Sequence, residues 1–152
     1  MKSVEVNNEA IFKVMEIAFQ NNQTFVFKIK GTSMFPFLKN QKDSVRLAPI
    51  TNELKKRDIV LYRRSNGAYV LHRIIKIKDN VYSMVGDNQR AIETPIYRDQ
   101  ILGIVTHLIK GEKEIDVKKN KKYRFFSWCW CLSLFVRACI LKIIRPLFLK
   151  KG

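Results

Sequence analysis

Residues 58–75, DIVLYRRSNGAYVLHRII, have the pattern of a β-hairpin. Two runs rich in Val, Ile, Leu and Tyr flank the dipeptide Asn66-Gly67, which favours the tight turns that join antiparallel strands. A weaker turn signal follows at Asp79-Asn80. The stretch therefore predicts three consecutive antiparallel strands.

The same pattern extends outward from the hairpin. Between Thr24 and Ile109, short apolar runs alternate with Gly, Asn, Asp and Pro, which predicts a mainly β domain. We expect strands at residues 25–30, 44–47, 58–62, 69–77, 81–85 and 101–109. The apolar residues of segment 7–22 recur at three- and four-residue intervals, which predicts an amphipathic helix capped by Asn7 or Asn8. The expected organisation is an N-terminal helix (1–22), a β domain (23–110), and a basic linker with a C-terminal helix (111–152).

The composition indicates a globular protein with an anionic partner. The 152 residues are enough for one modest domain and an appendage, and a hydrophobic content of 47% excludes a disordered chain. Lys and Arg number 29 against 13 acidic residues, a formal net charge of +16. Such a charge implies either nucleic acid or an anionic membrane surface as partner.

The position of the basic residues favours the membrane. Five of them lead directly into the apolar run 125–135: Lys118, Lys119, Lys121, Lys122 and Arg124. Charges further along the tail disfavour a membrane span, because a charged side chain is costly in hydrocarbon. On a helical wheel, the polar residues fall within about half the circle, which predicts an amphipathic helix lying on the membrane. These polar residues are Arg124, Ser127, Arg137, Lys142 and Arg145.

Several other classes of protein are not expected. A single helix precedes the strands, whereas a helix-turn-helix module needs two, so we expect no nucleic-acid partner. The three cysteines, Cys129, Cys131 and Cys139, lie in the apolar tail without neighbouring His residues, and no phosphate-binding Gly-rich loop is visible. We therefore expect no metal and no cofactor. The N-terminus has neither the charged start nor the long apolar core of a signal peptide or membrane anchor.

Three residues form a candidate catalytic set. Ser33 lies in a turn bounded by Gly31 and Pro36, and a serine hydroxyl becomes a useful nucleophile when a neighbouring base accepts its proton. His72 is the candidate base, because its predicted strand face is apolar and desolvation favours neutral imidazole. Asp87, at the start of a later loop, is the candidate acid that orients the imidazole.

Three motifs in this order resemble the signal peptidase I clan of serine peptidases, which includes the self-cleaving repressors. They are the Gly-x-Ser-Met-x-Pro turn at residues 31–36, the Arg-Asp-Ile-Val segment at 57–60, and the Gly-Asp-Asn box at 86–88. The similarity covers roughly residues 29–105. Many clan members use Lys as the base, so His72 makes this chain similar to the Ser-His branch.

The resemblance implies a coiled β-sheet domain with the nucleophile at the edge of a substrate groove. It implies that Ser33 attacks a peptide carbonyl to form an acyl-enzyme, that His72 accepts the proton, and that Asp87 supports His72. Backbone N–H groups near Ser33 are the expected oxyanion donors. Thr32, Met34 and Pro36 are expected to shape the turn and the substrate pocket.

The chain departs from the clan pattern at two positions near the site. Many bacterial members carry a hydroxyl two residues before the nucleophile, where this chain has Gly31. The Ser-His branch often carries a second Asp after the Gly-Asp-Asn box, where Glu93 is the nearest acid here. Glu93 is therefore a candidate to assist His72.

The expected function is that of a serine endopeptidase that trims a leader or signal-type peptide at the cytoplasmic face of the membrane. Two alternatives stay open: a catalytically silent scaffold that binds peptide or membrane, and a self-cleaving regulatory protein.

Overall fold

The computed structural model describes residues 8–132 and 134–149 and has a mainly β fold, as predicted. Helix α1 precedes the strands, and helices α2 and α3 follow them. In chain order the elements are α1 (Asn8–Gln20), β1 (Phe25–Lys28), β2 (Asp43–Ala48), β3 (Ile59–Arg63), β4 (Tyr69–Lys78), β5 (Val81–Val85), β6 (Glu93–Ile96), a short 3-10 turn (Arg98–Gln100), β7 (Ile101–Lys110), β8 (Lys113–Asp116), α2 (Lys121–Leu132) and α3 (Leu134–Leu149).

The strands form one antiparallel sheet of eight. Their order is β1-β2-β7-β3-β4-β5-β6. Strand β3 pairs with residues 101–104 of β7, and β8 pairs with residues 107–110. The long strand β7 therefore joins the N-terminal strands to the β3–β4 hairpin. All six predicted strands are present, with ends that differ from the prediction by no more than two residues.

The β3–β4 hairpin closes through the five residues 64–68. Arg64 N–H donates to Ala68 O at 2.8 Å, and Gly67 N–H donates to Arg64 O at 2.9 Å. Gly67 has φ +86°, a backbone conformation in which glycine has no steric penalty. The loop aligns Val60 opposite His72, which fixes the position of the imidazole on β4.

The sheet buries side chains on both of its faces. Alternate residues of β3 enter two hydrophobic cores: Ile59 and Leu61 in the first, Val60 and Tyr62 in the second. Helix α1 covers the first core, into which its buried residue Met15 packs. Burial on both sides of β3 explains why this strand is almost continuously apolar.

Strands β6 and β8 were not predicted from the sequence. Each has four residues, and β6 contains Pro95, so neither has a clear two-residue alternation. Segment 111–122, expected to be only a charged linker, contains β8, which pairs with the end of β7. The sheet thus extends beyond the boundary that the sequence indicated.

The prediction of one membrane-lying C-terminal helix needs two corrections. The segment forms two helices, α2 and α3, and its polar residues Ser127 and Arg137 face the protein, with 3% and 1% of their surfaces exposed. They are buried because they find partners near the Gly-Asp-Asn box. The exposed residues are largely apolar, and they include Phe125, Phe126, Trp128, Leu132, Val136 and Ile143.

Within the described residues, no single helix is long and apolar enough to cross a membrane. Only together, across a bend of 112°, do α2 and residues 136–144 of α3 reach the length and apolar composition of a membrane-spanning segment.

Candidate active site

The turn that carries Ser33 is held by its own backbone and by the first core. Gly31 has φ +89°, and its N–H donates to the Asn40 side chain at 2.9 Å. Leu38 N–H donates to Met34 O at 2.9 Å, and the Met34 side chain is almost completely buried in the core. These contacts fix the turn, so that half-buried Ser33 lies at its edge.

His72 projects from β4 and is buried, with 1% of its surface exposed. Its Nδ1 lies 3.1 Å from Tyr62 Oη and 3.4 Å from Glu93 Oε1. Tyr62 Oη–H donates to Glu93 Oε2 at 2.7 Å. Arg64 completes the group, because its Nε donates to Glu93 Oε2 at 2.7 Å and its Nη2 pairs with Oε1.

These hydrogen bonds select one tautomer of His72. Because the Tyr62 hydroxyl donates its hydrogen bond to Glu93, its oxygen is left to accept a hydrogen bond from His72 Nδ1–H. In a neutral imidazole, a proton on Nδ1 leaves Nε2 with a lone pair. Nε2 is therefore the nitrogen that can accept a proton from a nucleophile.

The environment keeps this imidazole neutral. Burial lowers the pKa of His72 from its usual 6.5 to about 4, and the charge of Glu93 opposes this shift only in part. The hydrogen bonds from Arg64 hold the pKa of Glu93 below its usual value, so this carboxylate stays ionised. An ionised carboxylate beside Nδ1 stabilises the imidazolium that forms when Nε2 accepts a proton.

Gly86 brings His72 and the Ser33 turn together. A Cβ at Gly86 would lie 3.0 Å from His72 Nε2 and 2.7 Å from both Ser33 O and Gln89 Oε1. No side chain fits in that space, so glycine is required for this close approach. Asn88 N–H donates to Ser33 O at 2.7 Å and fastens the turn to the loop that follows β5.

Ser33 and His72 line the same groove of about 490 Å³. Among the described residues, no hydrogen bond joins their side chains. Catalytic hydrogen bonds are often long in the absence of substrate and shorten when it binds. The arrangement is therefore compatible with proton transfer from Ser33 Oγ to His72 Nε2 once a peptide occupies the groove.

Asp87 has a different partner from the one expected. Its two carboxylate oxygens accept hydrogen bonds from Arg73 Nε and Nη2 at 2.8 and 2.7 Å, and both side chains are fully buried. The carboxylate within 3.4 Å of His72 Nδ1 belongs to Glu93 instead. The described residues show no direct contact between Asp87 and His72, because the neighbouring Arg73 binds both oxygens. The charge of Asp87 still raises the pKa of His72, and its supporting role stays a prediction.

The three residues expected to shape the substrate pocket lie in different places. Met34 lines the groove beside Ser33. Thr32 is exposed and is not part of that lining, as far as the described residues define it. Pro36 lines a separate cleft of about 670 Å³ against the C-terminal helices. Of the three, Met34 is the residue that lines the groove with Ser33.

Tyr62 and Arg73 were not identified from the sequence as parts of the site. Tyr62 pairs with Val70 across the hairpin, so it is the diagonal neighbour of His72 on the same face of the sheet. Counting outward from the Asn66-Gly67 turn would have placed Tyr62 near His72. The pairing of Arg73 with Asp87 depends on the path of the loop after β5, which has no periodic signal.

Metal binding requires several ligands in one place. In the described part of the chain, no three His, Cys, Asp or Glu side chains come close enough together to hold a metal ion. The three cysteines are free thiols on the C-terminal helices.

The mainly β sheet with its N-terminal helix is consistent with the fold of the signal peptidase I and self-cleaving repressor clan. The family model described as Peptidase S24-like matches residues 2–106, and the chain belongs to that family, within the signal peptidase I and self-cleaving repressor clan. A search of curated proteins found no match. Helices α2 and α3 lie outside the matched region.

Proposed function

We propose that this protein is a serine endopeptidase that cleaves a leader or signal-type peptide, with Ser33 as nucleophile and His72 as general base. The observation that carries the proposal is the orientation of His72. Tyr62 and Glu93 occupy Nδ1, and the lone pair of Nε2 is left beside Gly86 and the Ser33 turn. This is the arrangement a serine peptidase needs.

The reaction follows from these positions. His72 Nε2 accepts the proton of Ser33 Oγ as Oγ attacks the peptide carbonyl carbon, and backbone N–H groups near Ser33 stabilise the oxyanion. Nε2–H then protonates the leaving amine, which gives an acyl-enzyme and the first peptide product. Water, activated by the same nitrogen, hydrolyses the ester and restores Ser33. Glu93 stabilises the imidazolium in both halves of the reaction.

The groove accommodates an extended peptide. Strand β1 is an edge strand of the sheet, and Phe27, Ile29 and Met34 line the groove from its end to the Ser33 turn. An extended peptide can pair with the free edge of a strand through its backbone. Apolar groove walls favour small or apolar substrate side chains next to the cleaved bond.

The membrane surface is the proposed site of action. The described exposed residues of α2 and α3 are largely apolar, and basic residues of the preceding segment and the first turn of α2 adjoin them. Exposed aromatic and aliphatic side chains next to Lys and Arg favour the interface of an anionic bilayer. Sedimentation with vesicles tests this. Binding is expected with anionic lipid, and a Phe125→Ser/Trp128→Ser variant should bind at least ten-fold more weakly.

One observation favours the alternative of a silent scaffold. Ser33 and His72 are not hydrogen-bonded within the described residues, so the groove could bind peptide without cleaving it. The two functions differ in whether Ser33 reacts.

The deciding experiment measures covalent modification of Ser33. The protein is incubated with a fluorophosphonate, whose phosphorus is attacked by an activated serine with loss of fluoride, and the intact mass is recorded. We expect an adduct on the wild type, none on Ser33→Ala, and a rate at least about 100-fold lower for His72→Ala. A folded wild type that gains no mass at any pH between 5 and 9, with or without anionic vesicles, would favour the scaffold.

A further inference from the structure

Helices α2 and α3 contact the loop that carries the Gly-Asp-Asn box, although they lie outside the region matched by the family model. We propose that these helices are a positioning element of the active site. They hold Arg73 and loop 86–89, and through them the relative position of Ser33 and His72. The inference rests on the proposed peptidase function.

Arg73 links α2 to the loop. It follows His72 on β4 and is completely buried, and it directs Nε and Nη2 to the carboxylate of Asp87. Its remaining nitrogen, Nη1, donates to Ser127 Oγ at 2.8 Å, and to Tyr123 Oη and Arg57 O at 3.1 Å each. Ser127 and Tyr123 belong to α2, so this helix helps to set the orientation of the guanidinium.

Two further contacts hold the backbone of the loop. Trp130 Nε1 on α2 donates to Asp87 O at 3.2 Å. Arg137 Nη2 on α3 donates to Gln89 O at 3.2 Å, and this arginine is buried. Arg137 Nη1 also lies 3.8 Å from the Asp87 carboxylate. Each helix thus fixes one carbonyl of the loop.

Loop 86–89 contacts both reacting residues and so sets their relative position. Asn88 N–H holds the backbone of Ser33 at 2.7 Å, and Gly86 lies between Ser33 O and His72 Nε2 with no room for a side chain. A shift of the loop would therefore move the nucleophile relative to the base. Misplacement of reacting groups by about 1 Å can lower a rate roughly 100-fold.

A role in overall stability is the competing explanation, because buried charged networks also affect folding. Two substitutions reduce this ambiguity, since they remove only hydroxyl groups and leave Arg73 and Asp87 paired. These are Tyr123→Phe and Ser127→Ala, used together. Ser127→Thr keeps the hydroxyl and serves as the conservative variant. Lys121→Gln, at an exposed position of the same helix, is the matched control.

The experiment measures two quantities on the full chain. The first is the rate of Ser33 modification by the fluorophosphonate, followed by intact mass. We expect it to fall about ten-fold in the double variant, and to stay within two-fold of wild type in Ser127→Thr and Lys121→Gln. The second is amide hydrogen exchange, in which we expect Asn88 to exchange faster in the double variant while the amides of β2 and β7 are unchanged.

The outcomes separate this inference from the proposed function. A wild type that reacts, with a double variant that reacts equally fast, would overturn the inference and leave the peptidase function standing. A slower reaction accompanied by faster exchange throughout the sheet would also overturn it, because the helices would then act on overall stability. A folded wild type that never reacts would overturn the proposed function, and this inference with it.

Discussion

Glu93 and Asp87 are the two carboxylates nearest the proposed catalytic residues, and their surroundings differ. The Glu93 side chain is 23% exposed, accepts hydrogen bonds from Tyr62 and Arg64, and lies 3.4 Å from His72 Nδ1. Asp87 is fully buried, and both its oxygens are bound by Arg73. Glu93 is placed beside the imidazole, where positive charge develops during the reaction. Asp87, in the loop, binds the permanently charged Arg73 and acts on His72 only through its charge, which raises the pKa of His72 less than the charge of Glu93 does.

The largest difference is expected in stability. Arg73→Met removes both close hydrogen bonds to the buried Asp87 carboxylate and leaves Arg137, 3.8 Å away, as its neighbouring cation. This change should lower the free energy of unfolding by about 3–5 kcal/mol. Arg64→Met removes a partner of Glu93 near the surface and should cost no more than about 1 kcal/mol. Urea unfolding followed by circular dichroism measures both values.

A triple variant guards against the case in which Arg73→Met does not fold. Arg73→Met/Asp87→Asn/Arg137→Met removes Asp87 together with both buried cations near it and should be more stable than Arg73→Met alone, since none of the three charges stays buried without a partner. Equal losses for the Arg73 and Arg64 variants would contradict the distinction between the two carboxylates.

The second difference is expected in activity. Glu93→Gln removes the negative charge beside His72 and should lower the rate of Ser33 modification by about 100-fold. Its cost in stability should stay within about 1 kcal/mol, because the pair with Arg64 is partly exposed. The matched variant Asp87→Asn should show a larger loss of stability. A Glu93→Gln protein with the wild-type reaction rate would show that His72 acts without this carboxylate.

A third prediction concerns the dependence of stability on pH. His72 has a pKa near 4 in the folded protein and 6.5 when it is unfolded, so between these values only the unfolded chain binds the proton. Stability is therefore complete above pH 6.5 and falls as the pH decreases towards 4. The loss attributable to His72 at pH 5 should be about 2 kcal/mol.

Urea unfolding at pH 7 and pH 5 checks this prediction. His72→Gln has no proton to gain in this range, and its stability should change by about 2 kcal/mol less than that of the wild type. A wild type and variant with parallel pH profiles would indicate that His72 titrates normally in the folded protein.

The elements predicted from the sequence are those that carry a local signal. The β3–β4 hairpin has apolar runs on both sides of Asn66-Gly67, and six strands were located because they alternate or are continuously apolar. Strands β6 and β8 are four residues long and form by pairing with neighbours that are already in place. Their positions are set by pairing with neighbouring strands, so their own residues carry little sequence signal.

The candidate site divides in the same way. Ser33 and His72 lie in recognisable motifs, whereas the partner of each acid depends on packing between distant segments. The helical wheel of the C-terminal segment separates polar from apolar residues, but it does not say which side faces the protein. Ser127 and Arg137 turn inward because the buried pair Arg73–Asp87 offers polar partners there.

The smallest expected effect concerns Tyr62, the residue that joins His72 to Glu93. Tyr62→Phe keeps the ring in its core but removes the hydroxyl that accepts from Nδ1 and donates to Glu93. Because Glu93 Oε1 lies 3.4 Å from Nδ1, the carboxylate can still approach the imidazole directly. We therefore expect the rate of Ser33 modification to fall only about ten-fold, equivalent to roughly 1.4 kcal/mol.

Tyr82→Phe is the matched control, since Tyr82 belongs to the same core but pairs with Ile77, further along β4. A decrease as large as that of Glu93→Gln would mean that the carboxylate acts on His72 only through the tyrosine hydroxyl.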